Sequence, residues 1–447
     1  MTDRVMTDRV MTTRALHRAV ASPARRVLTA GCLVVATAVF LATVPLHRDF
    51  FDVAVYYGAV DDWVHGGRIY DYLKPGTRYG FTYPPFAAVA MAPMALVSWP
   101  VAVATSIALS AVASALLLHW LAAPVVRRAL AARTRAAGRE GKEAAGHEWF
   151  TLTVVGCLLA LLEPVRDTFS FGQVNLVLVA LVLADARLLA TGRGRYAGIG
   201  IGLATAVKLT PGLFIVYLLI TGRRRQAAIA TATAGGATLF AALVDPAASR
   251  AFWTDALWHT DRVGALGYVS NQSLQGVLAR LQPDHPSRVL WAVCVLAVLA
   301  VWAYRARAAV RAGDDRAGFA LTGLAACLVS PVTWVHHLVW LIPALIVLAD
   351  AASAAPDGGR RVRPAGCVAL YVVLCSSVVW LWRWDSTGPD AFLGANAYVW
   401  ITLGLLFVPP RPRHGPGVVT DGVAATRSGA AWRRRGAGCP GGPGSCG

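Results

Sequence analysis

Apolar runs dominate the pattern along the chain. They lack the two-residue alternation of strands, and they are too continuous for the one-sided stripe of a soluble helix. The runs cover residues 27–46, 85–98, 101–122, 149–163, 174–190, 197–221, 226–244, 288–304, 317–330, 337–350, 365–382 and 392–408. Many approach the roughly 20 residues that a helix needs to cross a bilayer. The pattern predicts an all-α polytopic membrane protein with about twelve transmembrane helices. Polar stretches divide it into an N-terminal segment 1–26, a membrane domain 27–408 and a Gly-, Pro- and Arg-rich tail 409–447, read as disordered. Within the first long polar loop, 54–65 is expected to form a short interfacial helix, with Tyr56, Tyr57 and Trp63 as anchors.

Composition agrees. Hydrophobic residues make up 56% of the 447 and charged residues only 15%. A soluble domain carries about 25% charged residues, so a soluble globule, a coiled coil and a disordered chain are excluded. A net charge of +18 would suggest nucleic acid in a soluble protein. Here its distribution matters more. Segments 1–26, 222–225, 305–316, 351–364 and 409–447 hold 22 Lys/Arg against six Asp/Glu, whereas 46–84 and 245–287 hold seven against nine. By the positive-inside rule the first set is cytoplasmic, with both termini, and the second lies outside. The Arg-rich loop 123–148 breaks this rule if every run crosses once. Making 85–98 re-entrant, and breaking 197–221 at Lys208-Leu209-Thr210-Pro211, restores it, and this arrangement is favoured. The eight cysteines form no CxxC pair, so neither zinc nor redox chemistry is expected.

Few polar residues interrupt the apolar runs. Asp49 and Asp52 directly follow the first run, and ordinary loop acidity explains them as readily as chemistry does. Tyr83 lies in Phe81-Thr82-Tyr83-Pro84-Pro85. Arg166, Gln173 and Asn175, in Glu163-Pro164-Val165-Arg166 and Gly172-Gln173-Val174-Asn175, are costly at membrane depth unless paired or lining a cavity. A Glu163–Arg166 pair is the plainer alternative. Lys208, one of three lysines, sits beside Pro211, where it either snorkels or neutralises an anion. Asn271-Gln272-Ser273 lies in the second long loop. Ser330-Pro331-Val332-Thr333-Trp334-Val335-His336-His337 ends in two histidines that point about 100° apart on a helix, poor geometry for one metal. One histidine on a phosphate with the other packed is the better reading. No phosphate-cradling glycine loop and no nucleophile elbow occur.

Taken in order, Asp52-x-x-Val55-Tyr56, Phe81-Thr82-Tyr83-Pro84-Pro85, the Glu163 and Gly172 motifs, Lys208-Leu209-Thr210-Pro211, Asn271-Gln272-Ser273-Leu274 and the Ser330–His337 motif resemble glycosyltransferase family 87. These are polyprenol-phosphate-mannose-dependent α-(1→2)-mannosyltransferases of the GT-C class. The resemblance runs from about residue 27 to 408. It implies a GT-C fold and an outward-facing site that moves mannose from a polyprenyl-phosphate donor to a glycolipid or glycan of the cell envelope. It also implies Asp52 as catalytic base, with Asp49 as runner-up, and a donor phosphate met by His336 or His337 with help from Arg166 and Lys208. Tyr56, Tyr83, Gln173, Asn175, Asn271 and Gln272 complete the expected substrate contacts. No metal, cofactor or nucleic acid is expected; membrane lipid is. A polyprenyl-phosphate-arabinose donor is the alternative within the class. A transporter, the alternative outside it, predicts inverted repeats, and none is visible.

Overall fold

The computed structural model describes residues 22–43, 47–136, 142–353 and 362–407. The cytoplasmic assignment of 1–21 and the disordered tail expected over 409–447 fall outside them. Among the described residues the architecture is all-helical, and the only β feature is an isolated antiparallel bridge between Leu73 and Gly80.

Five helices are long and apolar enough to cross a membrane: Pro23–Thr43, Trp99–Ala132, Arg224–Val244, Arg288–Arg311 and Val335–Ala352. A sixth span arises if His147–Leu161 and Glu163–Phe171, bent by 72°, count as one. The apolar helices Pro85–Leu96, Thr210–Ile220, Ala365–Cys375 and Ala397–Leu406 are shorter. At 1.5 Å per residue none of these four alone reaches across ~30 Å of hydrocarbon. The expected twelve crossings are therefore not present as twelve uninterrupted helices. Hydropathy counts apolar residues, whereas backbone breaks decide how far each run extends.

One break sits where the sequence anticipates it. Helix Ile199–Val207 ends at Lys208, whose backbone is extended (φ −150°, ψ 130°), and a 3₁₀ turn Thr210–Gly212 leads into Leu213–Ile220. Pro211 supplies no amide hydrogen, so the turn needs none there. Pro85–Met91 continues only as a 3₁₀ turn to Leu96, so the 85–98 run expected to be re-entrant is a helix too short to cross alone. The Arg-rich 123–148 is different. It is not simply a loop: the Trp99 helix continues through a π-turn at Leu118–Ala122 into Ala123–Ala136, and a second helix starts at Lys142. The π-turn precedes Pro124, which cannot donate to the ladder, and the Ala-rich stretch beyond has high helix propensity. Arg127 pairs with Glu148 at 3.4 Å and Arg128 with Asp350 at 2.9 Å.

Asp315–Val329 is buried almost along its whole length. It packs against Arg288–Arg311 on one side and the Val335–Leu341 turn with Ile342–Ser353 on the other. Trp302 Nε1 donates to Thr322 Oγ1 at 3.0 Å inside this contact, which removes the cost of burying both groups. The expected helix over 54–65 begins three residues earlier, at Phe51, and buries Val53, Val55, Tyr56, Ala59 and Val60. Phe50 and Asp49 before it both hold left-handed backbones (φ 54° and 48°), a strained state for residues with a Cβ. The Phe50 amide donates to Ser170 O at 2.8 Å, tying this corner to the bent helix Glu163–Phe171.

Candidate active site

A cavity of about 530 Å³ opens where these breaks meet. The Phe51 helix, the Tyr79–Pro84 strap, the end of the bent helix, the extended Lys208 segment and the Ser330–His337 loop all contribute walls.

Asp52 sits in the first turn of its helix and faces the cavity. Its Oδ2 accepts a hydrogen bond from Gln173 Nε2 at 2.6 Å. A carboxylate only accepts, so Gln173 must present its NH₂ to Asp52 and turn its oxygen the other way. That oxygen accepts from Tyr83 OH at 3.0 Å, and Tyr83 OH accepts from Tyr56 OH at 3.0 Å. A single donor direction thus runs from Tyr56 through Tyr83 and Gln173 to Asp52. Burial raises the Asp52 carboxyl to about 6, opposed by the Gln173 hydrogen bond and the Lys208 charge. Burial also pushes both tyrosine hydroxyls up, so each keeps its proton.

Lys208 reaches the same cavity because its backbone leaves the helix. Its Nζ lies 2.8 Å from His337 Nε2, donates to Asn175 Oδ1 at 3.0 Å and to Tyr83 OH at 3.5 Å, and stands 5.2 Å above the Tyr83 ring. His337 Nδ1 accepts from the Trp334 amide at 3.1 Å. The neighbouring His336 packs its ring on Phe171 and on His337, with centroids 4.8 and 4.6 Å away. Its carbonyl accepts from Thr168 Oγ1 and Asn175 Nδ2. Both His336 ring nitrogens are buried without a hydrogen-bond partner.

The cavity therefore gathers Asp52, Tyr56, Tyr83, Gln173, Lys208, His336 and His337, with Asn175 directly behind Lys208. Four other expected contacts lie elsewhere. The Asp49 side chain is 97% exposed beside His47, because its left-handed backbone turns it away from the helix that carries Asp52. Arg166 donates to Cys375 O and Ser377 Oγ at 3.2 and 2.8 Å. Nor does Arg166 neutralise Glu163 by direct bonding: the Glu163 carboxylate accepts from Trp380 Nε1 at 2.5 Å and from Tyr398 OH. Asn271 accepts from the Thr333 amide and donates to Leu266 O and Pro331 O, while Gln272 donates to Val269 O and Ala395 O. Both are fully buried and brace the Ser330–Thr333 loop from behind. Sequence reasoning missed Arg48, Phe171 and Trp380, which line the cavity. Of these only Arg48 left a signal, one residue from the Asp49–Asp52 pair. Among the described residues no three His, Cys, Asp or Glu side chains converge as metal ligands.

A carboxyl raised to about 6 is mostly ionised at neutral pH, and beside a lysine and two histidines it can take a proton from a hydroxyl while nearby donors hold an anion. Comparison with known proteins points the same way. The sequence profile of glycosyltransferase family 87 matches residues 81–331. The chain is 33% identical over 376 residues to the polyprenol-phosphate-mannose-dependent alpha-(1-2)-phosphatidylinositol mannoside mannosyltransferase of Mycobacterium tuberculosis, covering 80% of this chain and 83% of that protein. It is 34% identical over 371 residues to the protein of that name in Mycolicibacterium smegmatis, covering 80% and 82%. It is also 34% identical over 330 residues to the phosphatidylinositol pentamannoside mannosyltransferase of that organism, covering 71% and 73%. No solved structure matches. The profile spans more than half of the chain and the relatives align over most of both partners, so the chain belongs to glycosyltransferase family 87.

Proposed function

We propose that the chain is an inverting mannosyltransferase with a GT-C fold over residues 27–408. It takes mannose from a polyprenyl-phosphate donor and builds an α-1,2 linkage on a mannoside-bearing lipid at the outer face of the membrane, with both termini cytoplasmic. The observation that carries this reading is the half-buried Asp52 carboxylate sharing one cavity with Lys208, His336 and His337. The relatives' names supply the donor, the linkage and the acceptor class, and they favour mannose over arabinose.

The step needs one base. Asp52 accepts the proton of the acceptor hydroxyl as its oxygen bonds to the anomeric carbon. The bond from that carbon to the phosphate oxygen breaks, and its electron pair goes to the phosphate. Lys208 and the histidine donors hold the charge that develops there. A phosphate leaves without being protonated, so no acid is needed. One displacement inverts the centre, so an α product requires a β-linked donor. A retaining route needs a second carboxylate about 5 Å away as nucleophile; Asp49, turned out to solvent, is not placed for it. Gln173 fixes the Asp52 carboxylate, and Tyr83 and Tyr56 fix Gln173.

Membranes containing Asp52→Asn should lose mannose transfer from polyprenyl-phosphate mannose to a phosphatidylinositol mannoside by about 10²–10⁴-fold, the usual worth of a positioned base, with donor binding retained. Undiminished turnover by this variant removes Asp52 from the reaction. Incubation of wild-type membranes with labelled mannose and arabinose donors separately decides the sugar.

A further inference from the structure

Arg48 carries the strongest unexplained feature of the cavity wall. Its guanidinium carbon lies 4.5 Å from the Trp380 ring centroid and 5.5 Å from that of Phe171, so both contacts are to rings. Its Nε and Nη2 are buried without a hydrogen-bond partner. These two atoms form the edge of the guanidinium whose parallel N–H groups chelate an oxyanion. The nearest carboxylate, Asp167 Oδ2, stands 3.8 Å from Nη2, beyond hydrogen-bond reach. Next along the wall is His336, packed on the same Phe171 ring, with both ring nitrogens also lacking partners. Buried donors are nearly always satisfied. Two adjacent side chains that are not, on one cavity wall, call for an acceptor from outside the chain.

We propose that Arg48 is a phosphate ligand of this site, gripping two oxygens of the polyprenyl phosphate through Nε and Nη2 beside His336. This rests on the donor reading above and extends it. Lys208 is already engaged with His337, Asn175 and Tyr83. Arg48 has an unused bidentate edge. It can therefore take up the second negative charge that appears on the phosphate as the sugar leaves. The rival role is that of plain counter-ion to Asp167, which makes no contact with ligand.

The test measures binding of farnesyl phosphate and of farnesol to the purified full-length protein. Arg48→Gln should weaken farnesyl phosphate about tenfold or more, the loss expected for a charge-assisted fork, and leave farnesol unchanged. Equal loss of both ligands, or no loss of the phosphate, overturns the proposal in favour of the counter-ion role. If the glutamine variant does not accumulate folded, Arg48→Lys decides. It keeps the charge but not the paired N–H groups, and wild-type affinity for farnesyl phosphate would then overturn the proposal. Binding needs no turnover. Phosphate affinity lost in the variant, together with absence of mannose transfer by wild type, would sink the donor-sugar reading and leave the Arg48 assignment standing.

Discussion

Gln173 is the residue on which the candidate site turns. Its amide is the direct hydrogen-bond donor to Asp52 among the contacts in the cavity, and that bond opposes the rise that burial imposes on the carboxyl. If Asp52 is the base, it works only when deprotonated. Transfer measured as kcat/KM should therefore rise with pH through about 6, the value to which its carboxyl is raised, and level off above it. Gln173→Leu removes the donor that stabilises the charged form. The rising limb should then shift to higher pH, as well as lose height, because Tyr83 OH also loses its acceptor. A limb that stays in place in this variant would show that another group titrates. Gln173, Lys208 and the paired histidines stood out in the sequence because polar groups that interrupt apolar runs are costly and few, whereas Asp52 stood out only through the family resemblance. Asn271 and Gln272, in the second long loop, were expected contacts through the resemblance, yet their polar atoms serve backbone groups. Sequence shows that a buried amide needs partners but not whether they belong to protein or ligand. Arg48 was passed over for the opposite reason: an arginine in a polar loop is normally solvated.

Among the elements, the breaks place the chemistry, and they were only partly legible. Pro211 beside a lone lysine marked the break that delivers Lys208. The Ala-rich stretch after residue 123 carried the propensity for its helix to run on, but its positive charge was read as a loop, and positive charge alone does not end a helix. The junction after Glu163–Phe171 is the most exacting. Gly172 caps that helix with φ 71°, and a Cβ placed on it would lie 2.7 Å from Val53 Cβ and Cγ1. Val53 is buried next to Asp52 in sequence, and Gln173 follows Gly172 directly. One methyl group here would push apart the two residues that share the 2.6 Å bond. Gly172→Ala should cost about 1–3 kcal/mol through overpacking, in addition to the left-handed strain. Thermal unfolding in detergent reads that cost. Transfer should fall further than stability explains, because the Asp52–Gln173 geometry is lost as well. A variant with wild-type melting and wild-type transfer would show that the junction has slack that the close contact denies.

At the scale of the whole molecule, charge and cavity together predict sidedness. Basic residues concentrate on segments that the positive-inside rule places in the cytoplasm, and the acid-leaning loops 46–84 and 245–287 both supply walls of the cavity. By the same rule, the distribution of the +18 charge gives an expected orientation in the bilayer that can be tested. Orientation matters to the proposed reaction, because a polyprenyl-linked sugar is used on one leaflet only. Two exposed arginines report it without touching the cavity lining. Arg68 lies in the first long loop with 73% of its side chain exposed, and Arg225 is exposed at the start of helix Arg224–Val244. In a background with the native cysteines replaced, Arg68→Cys should react with a membrane-impermeant maleimide on intact cells. Arg225→Cys should react only after permeabilisation. The reverse pattern would put the Asp52 cavity in the cytoplasm and force a donor presented on the inner leaflet. Labelling of both sites from outside would mean that an odd number of crossings between them is wrong, and that the broken segments Pro85–Leu96 and Thr210–Ile220 must be counted again as half-spans or full ones.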